Sequence, residues 1–169
     1  MVVNGDALLL ASPIKDMIPN KCKLNGVSHG LAEVGYDIRL KQQIHFHPDR
    51  VGGPSIAIMT PPMRGYKIEN GRFVLASAIE EFDMPIDLVG VVHDKSTWAR
   101  KGLSVFNTVI EPGWKGFLTL ELVYHGNEDL LIPAGSGIAQ VVFHELCEAR
   151  TYEGKYQNQQ DKPVGSIFA

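Results

Sequence analysis

From Tyr36 onward, short apolar runs recur along the chain, several of them alternating apolar and polar residues one by one. Residues 37–40, 43–47, 72–76, 88–92, 117–123 and 138–143 carry this texture. A period of two sends successive side chains to opposite faces of an extended backbone, so each run is predicted to be a short strand. Turn formers separate them: Glu69-Asn70-Gly71, Pro112-Gly113 and the Gly- and Pro-bearing stretch 133–137. These residues supply the tight backbones that reverse antiparallel strands. Many short strands punctuated by Gly and Pro predict a mainly β domain, as a sandwich, jelly roll or barrel.

Three segments depart from that pattern. Residues 1–34 combine a short apolar stretch at 7–11 with Ser12-Pro13 and Ile18-Pro19-Asn20, which predicts a helical lead-in of one or two short helices. Residues 96–100 are helix-tolerant and begin with Ser96, a hydroxyl where a cap would sit. A single turn or short helix is expected there, with Lys95 and Arg100 adding positive charge, so the segment is a candidate phosphate binder. Arg100 lies one turn beyond Ser96 and can reach the same anion, and a guanidinium fork suits phosphate. Finally, 155–162 is polar and poor in core formers, so the tail over 150–169 is expected to be mobile unless a ligand or neighbouring subunit orders it.

The length of 169 residues suits a single domain spanning 1–169, large enough to bury a sizeable core. A net charge of −3 gives no electrostatic case for binding a nucleic acid polymer. No apolar run approaches the roughly 18 residues of a membrane span, and the N-terminus lacks a basic region followed by a signal-type core. A cytoplasmic protein is expected. The two cysteines, Cys22 and Cys147, show no pairing pattern and are read as structural thiols. Zinc-dependent nucleobase deaminases activate water through an H-x-E and P-C-x-x-C arrangement, and the chain contains neither.

The chemistry concentrates between Lys95 and Glu121. Two cations and two hydroxyls fall within 95–100, and carboxylates follow at Glu111 and Glu121 on neighbouring predicted strands. That is the inventory needed to hold a polyphosphate and move protons beside it. On alternation Glu121 shares a face with Thr119 and Val123. It either faces solvent or is partly buried, where desolvation brings a carboxyl toward the acid–base range. Ser96 is equally readable as a helix cap, Trp98 and Trp114 as core residues, and Glu111 as an ordinary acidic turn residue. Of the six histidines, His45 and His47 stand two apart on a predicted strand, so both point the same way and could chelate a metal, but the sequence offers no third ligand.

Six segments taken in order carry a family resemblance: 35–40 (Gly35-Tyr36-Asp37-Ile38-Arg39-Leu40), 95–103 (beginning Lys95-Ser96-Thr97-Trp98-Ala99-Arg100), 111–116 (beginning Glu111-Pro112-Gly113-Trp114), 119–122, 137–143 and 154–159. Over roughly Gly35 to Gln160 the chain resembles the dCTP deaminases of the dUTPase-like superfamily. The resemblance implies a distorted jelly-roll β-barrel with a few short helices, and a homotrimer with active sites between subunits. It further implies a C-terminal tail that closes over a bound deoxynucleoside triphosphate. It implies Mg²⁺ carried by the triphosphate, with no metal ligand from the protein, and deamination without zinc. Glu121 and Ser96 match the catalytic positions. Lys95, Ser96, Thr97 and Arg100 match residues that contact phosphate or the attacking water, Glu111 lies near the sugar, and Thr119 joins the nucleotide-binding set. Tyr152, Lys155 and Gln159 match the closing tail.

The activity implied is hydrolysis of dCTP to dUTP and ammonia. The alternative is a dUTPase, or a bifunctional enzyme giving dUMP and diphosphate. Related dUTPases carry an aspartate near position 111 where this chain has glutamate, and their glycine-rich closing motif is echoed only faintly by 164–168. A silent nucleotide-binding module is the reading from another class, and the presence of both Ser96 and Glu121 argues against it.

Overall fold

A computed structural model describes residues 1–168; Ala169, the last residue of the expected tail, lies outside the described residues. Among the described residues the elements run β1 (Val2–Val3), α1 (Gly5–Ala11), β2 (Lys21–Leu24), β3 (Val27–Leu31), β4 (Tyr36–Arg39), β5 (Gln43–His47), β6 (Ser55–Met59), β7 (Lys67–Asn70) and β8 (Phe73–Asp83). They continue with β9 (Leu88–Asp94), α2 (Ser96–Ala99), β10 (Leu103–Val105), β11 (Val109–Ile110), β12 (Lys115–Tyr124), β13 (Leu130–Ile132) and β14 (Gly137–Glu145). No helix is long and apolar enough to cross a membrane.

The strands form three antiparallel sheets. The largest has the order β11-β9-β14-β4-β3-β2, with β1 paired to the C-terminal end of β14. The second is β10-β12-β8 and the third β13-β5-β6-β7. The bridge between Leu40 and Ala78 stitches the chain after β4 onto β8, so the sheets wrap one shared core. Phe46, Phe82, Phe143, Ile38, Leu120 and Ile138 are buried there among many other apolar side chains, and such burial is the main favourable term in folding. The arrangement is the mainly β, jelly-roll-like architecture expected.

All six expected strands form, four of them longer than the alternation showed: β8 runs on to Asp83 and β9 to Asp94, while β12 spans Lys115–Tyr124 and β14 spans Gly137–Glu145. Alternation in the sequence fades in β8 because its buried face carries the charged Glu80 while its half-buried face carries the apolar Leu75 and Ile79. The expected helical lead-in is corrected: only Gly5–Ala11 is helical, and 21–31 form a hairpin on the edge of the largest sheet. Asn25 and Gly26 both take positive φ, the geometry of the tight two-residue turn whose twist matches paired strands. Val27 and His29 then face inward from β3.

One irregularity matters for the site. The ladder between β12 and β8 shifts register between Phe117 and Thr119. Such a bulge re-aims the side chains beyond it.

Candidate active site

Just beyond that bulge, Thr119 and Glu121 open into a cavity of about 440 Å³. Phe73, Leu75 and Leu118 furnish apolar wall, and Glu111 stands on the rim. This volume and mixture of walls are those of a small-molecule site. Of the two alternatives left open for Glu121, solvent-facing or partly buried, the structure gives the second: it is partly buried in the cavity wall. Asn107 fixes the strand carrying it. Its side-chain amide donates to the Thr119 carbonyl at 2.7 Å and its oxygen accepts the Glu121 N–H at 3.0 Å. Both backbone groups flanking the carboxylate are thereby held by one side chain.

The tail crosses the same cavity. Thr119 donates its hydroxyl to Gln159 Oε1 at 3.0 Å and accepts the Val164 N–H at 3.0 Å. Gln159 also bridges Gly116 in parallel, its carbonyl accepting the Phe117 N–H. Gly116 has φ +128°, and a Cβ there would lie 2.5 Å from the Gln159 nitrogen, so only glycine lets the tail approach. Trp114 donates its indole N–H to the Tyr156 carbonyl at 2.7 Å. The tail expected to be mobile is thus docked by the chain's own hydrogen bonds, with Tyr152 and Gln159 lining the cavity.

The segment after β9 takes a different course. α2 forms as expected, but Lys95, with no side-chain cap bond, occupies the cap position, and Ser96 is the first helical residue. The capping reading of Ser96 is therefore corrected. Ser96, Thr97 and Arg100 are exposed and lie outside the lining of the cavity. Lys95 is buried, its ammonium ion-paired with the equally buried Asp37, which also accepts the Ser28 hydroxyl at 2.9 Å. Trp98 is core, as expected, and donates its indole N–H to the Gly137 carbonyl at 2.7 Å.

Against protein-family models, residues 11–146 match the family described as dCTP deaminase-like. The chain belongs to the dCTP deaminase-like family. It is 35% identical to the dCTP deaminase of Campylobacter hominis over 180 residues, covering 94% of this chain and 93% of that one. It is 35% identical to the dCTP deaminase of Helicobacter pylori strain G27 over 155 residues, covering 80% and 79%. Among solved structures it resembles the 2'-deoxycytidine 5'-triphosphate deaminase from Agrobacterium tumefaciens, with a TM-score of 0.56 at 16% identity over 85% of this chain and 48% of that one. It also resembles native EIAV dUTPase, with a TM-score of 0.50 at 15% identity over 87% and 95%. At such identities the two structures attest the fold.

For this member of the dCTP deaminase-like family, one chain assembles part of the expected site. Glu121, Glu111, Thr119, Tyr152 and Gln159 meet at the cavity, whereas Lys95, Ser96, Thr97 and Arg100 do not reach it. Lys155 also stays outside, bonded to the Ile167 carbonyl with its ammonium over the Tyr156 ring. Asn107 and the Asp37–Lys95 pair were not singled out from the sequence. Asn107 follows a three-residue strand with no periodic signal, and the partners of the pair are 58 residues apart.

Proposed function

We propose that this chain hydrolyses dCTP to dUTP and ammonia. The observation that carries the reading is Glu121, a carboxylate set in a nucleoside-sized, partly apolar cavity with its backbone held by Asn107 and its neighbour Thr119 bound to the tail. The family match and the names of the 35%-identical relatives support it. Glu121 takes a proton from water as its oxygen adds to C4 of cytosine, and the proton passes to ring N3. The tetrahedral carbon then expels the amine, which leaves as ammonia after protonation through Glu121, and C4 becomes a carbonyl. One water is consumed for each dUTP and ammonia formed.

Ser96, Thr97 and Arg100 enter this scheme from a neighbouring copy. They are exposed and outside the lining of their own cavity, so a homotrimer with sites between subunits would supply the hydroxyl that holds the water and the cation that meets phosphate. Mg²⁺ would travel on the triphosphate oxygens, as a hard cation bound largely by phosphate does. Lys155 would leave the Ile167 carbonyl to meet phosphate when nucleotide binds. Both cysteines are free thiols, in keeping with a reducing cytoplasm.

A second reading rests on Glu111, whose carboxylate borders the same cavity: hydrolysis of dUTP to dUMP and diphosphate. Purified protein with Mg²⁺ and either dCTP or dUTP, its products resolved by chromatography, separates them. Accumulating dUTP supports deamination alone, dUMP from dCTP supports both steps, and dUMP from dUTP alone replaces the first reading with the second. Glu121→Gln is expected to lower kcat at least roughly a hundredfold, the lower range of positioned acid–base catalysis, with dCTP still bound. Near-normal deamination by that folded variant would remove Glu121 from the mechanism.

A further inference from the structure

We infer that His45, His47 and Asp129 bind one transition-metal cation of the zinc class, at a site separate from the nucleotide cavity. The topology builds it. His45 and His47 project from the same face of β5, and β13 pairs with β5 with Leu130 opposite Phe46 and Leu131 opposite His45. Continuing that register by one residue sets Asp129 against His47. Asp129 Oδ2 lies 2.8 Å from His47 Nδ1 and 3.6 Å from His45 Nε2, and the candidate ligand atoms of all three residues lie within 4.8 Å of one another. Around a tetrahedral zinc, with ligands about 2.0–2.1 Å from the ion, neighbouring donor atoms stand about 3.3 Å apart, so the observed separations bracket that spacing.

A plain hydrogen-bonded cluster accounts for less. It satisfies His47 through Asp129 but leaves His45 Nε2 beyond hydrogen-bonding distance, with the two imidazole centroids only 3.8 Å apart. A second observation points the same way. Ser55 is the cross-strand partner of His47, so their side chains share a face of the sheet. Ser55 is 8% exposed, and its hydroxyl oxygen has no hydrogen-bond partner. Three protein ligands leave a coordination position for water, and the Ser55 hydroxyl is the group beside the cluster able to bond such a water.

Two imidazoles with one carboxylate suit zinc, cobalt or nickel and not magnesium, which takes an oxygen shell. None of these residues lines the Glu121 cavity, so this ion takes no part in deamination. It clamps β5 to the connection that enters β13.

The test titrates tag-free, chelator-treated full-length protein with Zn²⁺ by calorimetry and with Co²⁺ by visible absorption. One ion per chain, a raised melting temperature, and an affinity lowered at least roughly tenfold in both His45→Gln and Asp129→Asn support the site. Both variants are expected to keep the wild-type circular dichroism and deaminase rate. Absence of saturable binding at one ion per chain, or full affinity in both variants, overturns the proposal. So does loss of binding in a Cys22→Ser/Cys147→Ser variant, which would place the ion on the thiols.

Discussion

Replacing Lys95 by methionine removes a cation whose side chain is 10% exposed from beside a carboxylate that is 3% exposed. Asp37 would retain the Ser28 hydroxyl on Oδ2, while Oδ1 already has no hydrogen-bond partner, so a buried negative charge would be left with one hydrogen bond. Removing one member of a buried pair in this way costs about 3–5 kcal/mol. In a chain of this size each kcal/mol lowers the melting temperature by about 2–4 °C, so Lys95→Met is expected to melt roughly 6–20 °C below wild type. Replacing both partners, as Lys95→Met with Asp37→Leu, removes the stranded charge and should recover much of that loss, giving a coupling energy measurable in a double-mutant cycle. The assay is thermal denaturation by circular dichroism at one fixed protein concentration, alongside KM for dCTP. A Lys95→Met protein that melts within about 2 °C of wild type, with KM raised, would show that the ammonium serves phosphate and not the fold, refuting the reasoning.

His29 faces the same buried cluster, and its pKa is lowered from 6.5, first by burial and then by the Arg39 guanidinium. The unfolded chain therefore takes a proton that the folded one resists, and stability falls as pH drops below about 6.5. His29→Phe should shrink the difference in urea midpoint between about pH 7.5 and about pH 5.5, and an equal difference in both proteins would exclude His29 as its source. Gly116→Ala places a Cβ against the Gln159 backbone in a φ region costly to alanine. Faster proteolysis of the tail and a higher KM for dCTP are expected, and unchanged cleavage would mean that the tail is held elsewhere.

Period-two alternation sufficed to find β5, β12 and β14, because strands whose two faces meet different surroundings write that difference into consecutive residues. It passed over β6, where four of five residues are buried and the run has no polar face to alternate with. The hairpin of β2 and β3 was within reach, since Asn25-Gly26 is a strong turn signal, but the neighbouring prolines drew the reading toward helix. The order of motifs carried the family, because the residues that match it lie in short contiguous segments.

What the order of residues determined by itself is therefore the β texture and the family: each depends on near neighbours in the chain. Which partners meet was decided by tertiary structure alone. Asp37 reaches Lys95 across 58 positions and Asp129 reaches His47 across 82, distances that only strand pairing closes. The register shift between β12 and β8 and the close approach of Gln159 to Gly116 are non-local fits of the same kind. Outside hairpins, pairing register between strands far apart in the chain is set by the burial of whole faces, which only the packed sheets fix.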